Sequence, residues 1–341
     1  PTGSAVGDLD ADGRLELVIC GRNLEGLVAV FPGVPGAGGP FGPPRFVFTG
    51  VQANAVRLHD LNADGVLDMV LAVRSTPGRV AVLYGAGDGA FAGRVDLGML
   101  REASDVVVAN LDADGDPDLA ATGLLTGDVV RFRNDGAGGF AAAERVPLGL
   151  ALRAAPRPLW IAAGDLDGDE RPELLASHSG SGHVSILTGG EGPARRIPLG
   201  TPVDLVVSDV DGDGRGDVTT ATWGAPSGDL TILAGGADGG FTRFDTPLPG
   251  FYLWAVVSSD LDGDGRPEAL VTEALSGLAT IMPNRSRPGV IEFGVPQPFS
   301  AGSFPWDVLS EDLDFDCDRD LVICDIAQHR VSWLLNLTPQ A

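Results

Sequence analysis

The 341-residue chain holds only three cysteines, Cys20, Cys317 and Cys324, and no Cys-x-x-Cys spacing. That number cannot build a disulfide framework, and the spacing excludes the common zinc and thiol-redox patterns. Cys20 and Cys324 close matching apolar runs, Leu17–Cys20 and Leu321–Cys324, and read as buried free thiols. No apolar stretch approaches the length of a membrane-spanning helix, and no signal peptide is recognisable. The chain begins at Pro1, as a processed chain would, so the missing signal does not argue for the cytoplasm. Basic residues are scarce as well: 23 Lys plus Arg against 47 Asp plus Glu leave a formal charge of −24, which argues against a nucleic-acid partner.

The acidity has a local source. Acidic or amide side chains recur at positions 1, 3, 5 and 9 of a nine-residue stretch written seven times, usually with glycine at position 6. The first copy is Asp8, Asp10, Asp12 and Glu16, and the second is Asp60, Asn62, Asp64 and Asp68. The third is Asn110, Asp112, Asp114 and Asp118, followed by Asp165, Asp167, Asp169 and Glu173. The last three are Asp209, Asp211, Asp213 and Asp217; Asp260, Asp262, Asp264 and Glu268; and Asp312, Asp314, Asp316 and Asp320. These four positions hold 26 of the 47 acids, so the remainder of the chain is close to neutral. Four oxygen donors crowded into nine residues call for a hard cation, and Ca2+ takes six to eight oxygens in a forgiving geometry. Up to seven calcium ions are therefore expected.

Successive copies begin 52, 50, 55, 44, 51 and 52 residues apart, a period that suits one small sheet per repeat. A short apolar run precedes each loop and another follows it, as in Val106–Ala109 and Met69–Ala72. Such runs are too short for helices and lack polar alternation, the pattern of strands buried on both faces. A third strand aligns throughout, from Leu27–Phe31 to Arg330–Leu334, and glycine-rich turns then lead to a weaker fourth. Four strands per repeat and no helix predict an all-β, seven-bladed β-propeller. It is read as one domain, 1–341, with repeats starting near residues 3, 55, 105, 160, 204, 255 and 307. Too few residues follow Leu334 or precede the first strand for a fourth strand in the last blade, which is expected to lack its outer one unless a segment outside this sequence supplies it.

An Asp-x-Asp-x-Asp-Gly opening also begins an EF-hand, but that loop needs a bidentate Glu at position 12 and flanking helices. Position 12 here is Ile19, Leu71, Ala121, Ala176, Thr220, Val271 and Ile323, all within predicted strands. The runs Gly7–Gly13, Ser208–Gly214 and Ser259–Gly265, each leading into an acidic residue and an apolar strand, instead resemble FG-GAP or VCBS repeats, including the N-terminal propeller of integrin α subunits. That resemblance covers essentially the whole chain. It implies a loop between the first and second strands of each blade, with side-chain ligands at positions 1, 3, 5 and 9. It also implies a backbone carbonyl ligand at position 7, here Arg14, Val66, Asp116, Arg171, Arg215, Arg266 and Asp318. Glu170 and Cys317 replace the position-6 glycine, where a side chain is disfavoured if φ is positive.

The connections into the first strands carry Asp105, Trp160, Asp204, Trp254, Trp306 and Asp307, with Phe251 and Tyr252 nearby. They are expected at the strand ends away from the calcium loops, where a protein or carbohydrate partner would bind. The turns after the second strands hold Arg22, Arg74, His178, His183, Trp223 and His329, expected as exposed polar turns. No catalytic constellation emerges. The resulting expectation is an extracellular or cell-surface, integrin-like adhesion or binding propeller without catalysis. The alternative is the propeller domain of a secreted carbohydrate-active, polysaccharide lyase-like enzyme, or a lectin.

Overall fold

The computed structural model describes the chain apart from residues 22–25, 36–38, 126, 149–157, 189–193, 225–227, 251 and 338–341. Arg22 and Phe251 therefore lie outside the described residues. The chain divides into two compact units, Pro1–Ile161 and Ala162–Ala341.

Three four-stranded antiparallel sheets lie in the first unit, each in sequence order. The first comprises β1 (Gly3–Gly7), β2 (Glu16–Cys20), β3 (Leu27–Phe31) and β4 (Arg45–Phe48). The second comprises β5 (Ala53–His59), β6 (Asp68–Val73), β7 (Gly78–Gly85) and β8 (Phe91–Leu100). The third comprises β9 (Ala103–Ala109), β10 (Asp118–Gly123), β11 (Asp128–Phe132) and β12 (Glu144–Pro147). The short apolar runs form second strands that are buried along their whole length. Neighbouring sheets pack face to face: Val18 and Val30 meet Val56 and Leu71, while Val70 and Val82 meet Leu119, Val130 and Phe132.

The fourth sheet begins with β13 (Pro158–Gly164), within which the two units divide, and continues with β14 (Glu173–His178), β15 (His183–Leu187) and β16 (Arg195–Pro198). In the second unit follow β17 (Thr201–Ser208), β18 (Asp217–Trp223), β19 (Asp229–Gly235) and β20 (Phe241–Pro247) as the fifth sheet. The sixth holds β21 (Leu253–Ser259), β22 (Glu268–Glu273), β23 (Leu278–Met282) and β24 (Gln297–Ser300). The seventh holds β25 (Pro305–Glu311), β26 (Asp320–Asp325) and β27 (Arg330–Leu334), and no fourth strand among the described residues. The core again lies between sheets, with Leu175 and Ile186 against Leu205, Val218 and Leu233.

Seven antiparallel sheets of this connectivity, without helices among the described residues, are the blades of an all-β, seven-bladed β-propeller. Every position-12 residue falls in a second strand, as the exclusion of an EF-hand requires. The three cysteines are unbridged, with Cys20 and Cys324 buried and Cys317 exposed.

Candidate functional site

Each acidic loop joins the first strand of a blade to the second and folds on its own carboxylates. In the first loop Asp8 Oδ2 accepts the Gly13 N–H at 3.0 Å, Asp10 Oδ1 that of Asp12 at 3.3 Å, and Asp12 Oδ1 that of Arg14 at 2.9 Å. The same staircase recurs in the sixth loop, where Asp260 accepts from Gly265, Asp262 from Asp264, and Asp264 from Arg266. Asp and Asn suit it because their short side chains reach a backbone N–H two residues on. Position 6 has positive φ in all seven loops, including Glu170 at 66° and Cys317 at 76°. Position 4 does too, at Ala11, Ala63, Ala113, Gly168, Gly212, Gly263 and Phe315, a feature the sequence reading missed.

The position-9 acid is the hub. Asp68 accepts the Leu61 N–H at 3.0 Å with one oxygen and the Gly85 N–H at 2.8 Å with the other, tying the loop to the end of β7. Glu16, Asp217, Glu268 and Asp320 do the same in their blades. All seven position-9 acids are buried. Burial pushes the pKa of every one above the ordinary carboxylate range, and the neighbouring loop carboxylates push the same way in each, against the lowering effect of the backbone N–H bonds. Asp217 reaches about 6.

Three carboxylates bring oxygens within 4.8 Å of one another in five loops: Asp8, Asp10 and Glu16; Asp165, Asp167 and Glu173; Asp209, Asp211 and Asp217; Asp260, Asp262 and Glu268; Asp312, Asp314 and Asp316. These are groups that could hold a metal ion. Oxygens of Asp8, Asn110, Asp112, Asp312 and Asp318 are buried without a hydrogen-bond donor. The position-5 acids depart from expectation, because Asp12, Asp213 and Asp264 each pair with the position-7 arginine of their own loop, Arg14, Arg215 and Arg266. In the seventh loop the position-5 acid Asp316 joins the cluster instead. The Asp318 side chain there is buried, and its pKa is pushed up to about 6 by burial and by the adjoining Asp316.

Sequence reading also missed the asparagines just after the third strands. Asn134 Nδ2 donates to Leu61 O of the preceding blade at 2.7 Å and to Pro117 O at 3.1 Å, while its N–H reaches Asp118. Asn284 likewise joins Val210 and Pro267, and Asn336 joins Leu261. The available signal was an asparagine two residues past β11, β23 and β27.

At the other end of the strands the proposed ligand residues separate. Asp105 is not available to a ligand: it is 3% exposed, and its carboxylate accepts from Arg57 Nη2 at 3.0 Å, Ile161 N at 3.1 Å and Val106 N at 2.8 Å. It thus latches three successive first strands together. Burial raises its pKa against the opposing charge of Arg57. Asp204 is spent in the same way on Val256 N at 3.0 Å and Leu205 N at 2.9 Å.

Trp160, Trp254 and Trp306 do not form one set. Trp254 and Trp306 stand six residues before their loops, inside the register shifts at the starts of β21 and β25, whereas Trp160 stands five before its loop, where Asp105, Asp204 and Asp307 stand elsewhere. A bulge re-aims its side chain, and the Trp254 and Trp306 rings meet at 4.0 Å between centroids. Trp223 stacks on Tyr252 at 4.6 Å and lies 5.4 Å from Trp254, and Phe304 lies 6.0 Å from Trp306. The second unit therefore carries a five-membered aromatic cluster drawn from three blades, half-buried except for the buried Trp254.

His178 and His183 correct the expectation of exposed turns, whereas His329 is exposed as expected. His178 and His183 are cross-strand partners, buried, with rings stacked at 4.4 Å, and burial holds His183 below its ordinary pKa. Arg74 pairs with Glu102 at 3.1 Å.

Comparison with known proteins agrees with this architecture. No curated protein is a sequence match. A structure of BBS1N in complex with ARL6DN, soaked with lead, is similar at TM-score 0.69 and 11% identity, covering 98% of this chain and 92% of that one. A streptogramin B lyase is similar at TM-score 0.65 and 12% identity, with coverage of 98% and 92%. The BP39L lectin from Burkholderia pseudomallei is similar at TM-score 0.71 and 13% identity, with coverage of 98% and 95%. At such identities the likeness is one of fold. No helix among the described residues is long and apolar enough to cross a membrane. The FG-GAP-like repeat model matches residues 60–121, 110–176 and 198–271, more than half of the sequence and five of the seven acidic loops, and the chain belongs to that family.

Proposed function

We propose that this propeller is a calcium-loaded, non-catalytic binding module of extracellular or cell-surface type. Ions would sit in the loops between first and second strands, and a protein or carbohydrate partner would be taken at the other strand ends. The observation that carries the calcium reading is the set of buried loop oxygens without donors, at Asp8, Asn110, Asp112, Asp312 and Asp318. Such atoms cost about 1–3 kcal/mol each when unmet, more when charged. Their neighbours are further carboxylates with raised pKa, so a cation relieves both penalties at once.

The donor set fits calcium, being all oxygen, flexible and rich in carboxylate. Positions 1, 3 and 9 would hold the ion in the first, fourth, fifth and sixth loops, and Asp312, Asp314 and Asp316 in the seventh. Asn62 and Asn110 keep an oxygen but remove a charge from the second and third. Bound calcium would supply charge compensation and a cross-link between loop and hairpin. This dependence suits a calcium-rich compartment outside the cell.

The aromatic cluster of Trp223, Tyr252, Trp254, Phe304 and Trp306 supports the partner-binding part, because flat, half-buried rings offer contact area at low entropic cost. Propellers of the same fold include a lectin and a protein held in a complex. The test is to strip the protein with chelator, reconstitute it, and count metal by mass spectrometry, with about five to seven calcium ions expected per chain. Fewer than about one ion per chain would refute the calcium reading. Glycan and protein arrays probed with wild type and Trp306→Ala, with a polysaccharide-cleavage assay alongside, test the rest: turnover would refute the non-catalytic reading.

A further inference from the structure

The first unit carries a pocket that the acidity of the chain does not foretell. It lies at the strand ends away from the acidic loops, where β6 turns into β7, and encloses about 380 Å3. Arg74 and Ser75 line it from the end of β6, Arg79 from the start of β7, and Gln52 from the approach to β5, beside Gly26 and Gly50. Among the described residues that line it there is no carboxylate.

The two arginines are held differently, and each leaves donors over. Arg74 Nε donates to Glu102 Oε2 at 3.1 Å, a contact that uses one nitrogen of the guanidinium and leaves the terminal pair. Arg79 has less. Its Nε is buried without an acceptor, because the acid beside it is already spent: Asp96 Oδ1 takes Arg94 Nε at 2.7 Å and Arg94 Nη2 at 2.6 Å, while Asp96 Oδ2 stands off from Arg79 Nε at 3.5 Å. A buried donor without an acceptor is costly, and a charged one more so. Arg74, Arg79 and Arg94 outnumber Glu102 and Asp96, so this corner is locally positive in a chain of formal charge −24. The Gln52 carbonyl accepts the Arg74 N–H at 3.1 Å, which sets the Gln52 side-chain amide, with two further donors, beside the arginines.

We infer that this pocket is a binding site for a tetrahedral oxyanion, a sulfate or phosphate group carried as an ester. Its oxygens give Arg79 Nε the acceptor it lacks and take the terminal nitrogens of Arg74 and the Gln52 amide. Guanidinium suits the task, since its planar fork binds such groups through two parallel bonds. A carboxylate has two oxygens, which a single fork fills, so it serves one arginine and leaves the other; a tetrahedral anion has oxygens for both. The volume falls in the range of small-molecule sites, with room for the group that carries the anion. The site lies wholly within the first unit and needs neither an ion in the acidic loops nor a ligand at the aromatic cluster.

The probes are methyl phosphate and methyl sulfate, titrated into the intact protein at constant ionic strength, with acetate and chloride alongside and the arginine Nε–H and backbone amide signals followed by NMR. Saturable shifts at Arg79 Nε–H and at Gln52 are expected, half complete at about 10 mM or below, with acetate at least about tenfold weaker. Whichever ester binds tighter identifies the source of the anion. Arg79→Gln should weaken binding about tenfold and Gln52→Ala about threefold, whereas Arg330→Gln, an exposed arginine of the second unit, should change nothing. Melting curves check that the variants fold, and if Arg79→Gln does not, Gln52→Ala decides. No saturable shift up to roughly 100 mM, acetate binding as tightly as the esters, or shifts matched by chloride would overturn the inference. Undiminished binding by a folded Arg79→Gln variant would overturn it as well.

Discussion

Chelating the divalent ions at pH 7 should lower the melting temperature by about 10 °C. An ion that binds only the folded state contributes RT ln(1 + [L]/Kd), or about 1.4 kcal/mol when free calcium is tenfold above Kd. The five loops with three clustered carboxylates then contribute about 7 kcal/mol together. A chain of 341 residues unfolds with an entropy near 0.7 kcal/mol/K, which converts that loss to about 10 °C. The dependence on pH gives a sharper signature. The position-9 acids have folded pKa values above their unfolded ones, so the ion-free fold holds more protons than the unfolded chain. Their contribution is complete below about 4 and is lost as the pH rises through the raised values. For Asp217, raised from 3.8 to about 6, it amounts to at most about 3 kcal/mol. Acidifying the chelated protein from pH 7 to 5 should therefore raise its melting temperature, while acidifying the calcium form should lower it as protons compete with the ion. Scanning calorimetry at several pH values, with metal content verified, decides the matter. A melting temperature unmoved by complete metal removal would refute the reasoning, and so would parallel pH curves for the two forms.

Two further outcomes follow from the loop geometry. Asn284→Ala should destabilise by about 2 kcal/mol in chemical denaturation, because it abandons the buried carbonyls of Val210 and Pro267; a change under roughly 0.5 kcal/mol would contradict that role. Glu170→Gly should stabilise the calcium-saturated protein by about 1 kcal/mol, since Glu170 is exposed and held at φ 66°, where a Cβ is penalised; a loss of stability would show that its side chain is used.

The propeller was legible because its signals are local and repeated. Runs such as Leu17–Cys20 and Met69–Ala72 are buried second strands, and the glycine at position 6 marks a positive φ that the structure shows in every copy. The aromatic end was less legible. Aligning Trp160 with Trp254 ignores a one-residue offset, and in a bulged strand one residue decides whether a side chain joins a cluster or takes the place of a latch such as Asp105. Nor could sequence alone tell the buried carboxylate of Asp105 or the half-buried, hydrogen-bonded one of Asp204 from exposed ones, because their partners, Arg57, Ile161 and Val256, lie roughly 50 residues away. The two histidines misled for a related reason. A Ser-Gly turn separates them in sequence, yet they face each other across a hairpin packed into the interior.

The asparagines past the third strands have a consequence for how ions load. Asp217 accepts from the N–H of Val210, and the Val210 carbonyl accepts from Asn284, whose own N–H reaches Glu268. Glu268 accepts from Leu261, the Leu261 carbonyl accepts from Asn336, and Asn336 donates to Asp320. Three acid loops thus hang on one continuous wire of amides, which makes them a short one-dimensional lattice with nearest-neighbour coupling rather than three isolated sites. If the loops take ions as proposed, filling one would stiffen the donor that orders the next, so occupancy along the fifth, sixth and seventh blades should spread from neighbour to neighbour, and an end loop should be the first to empty.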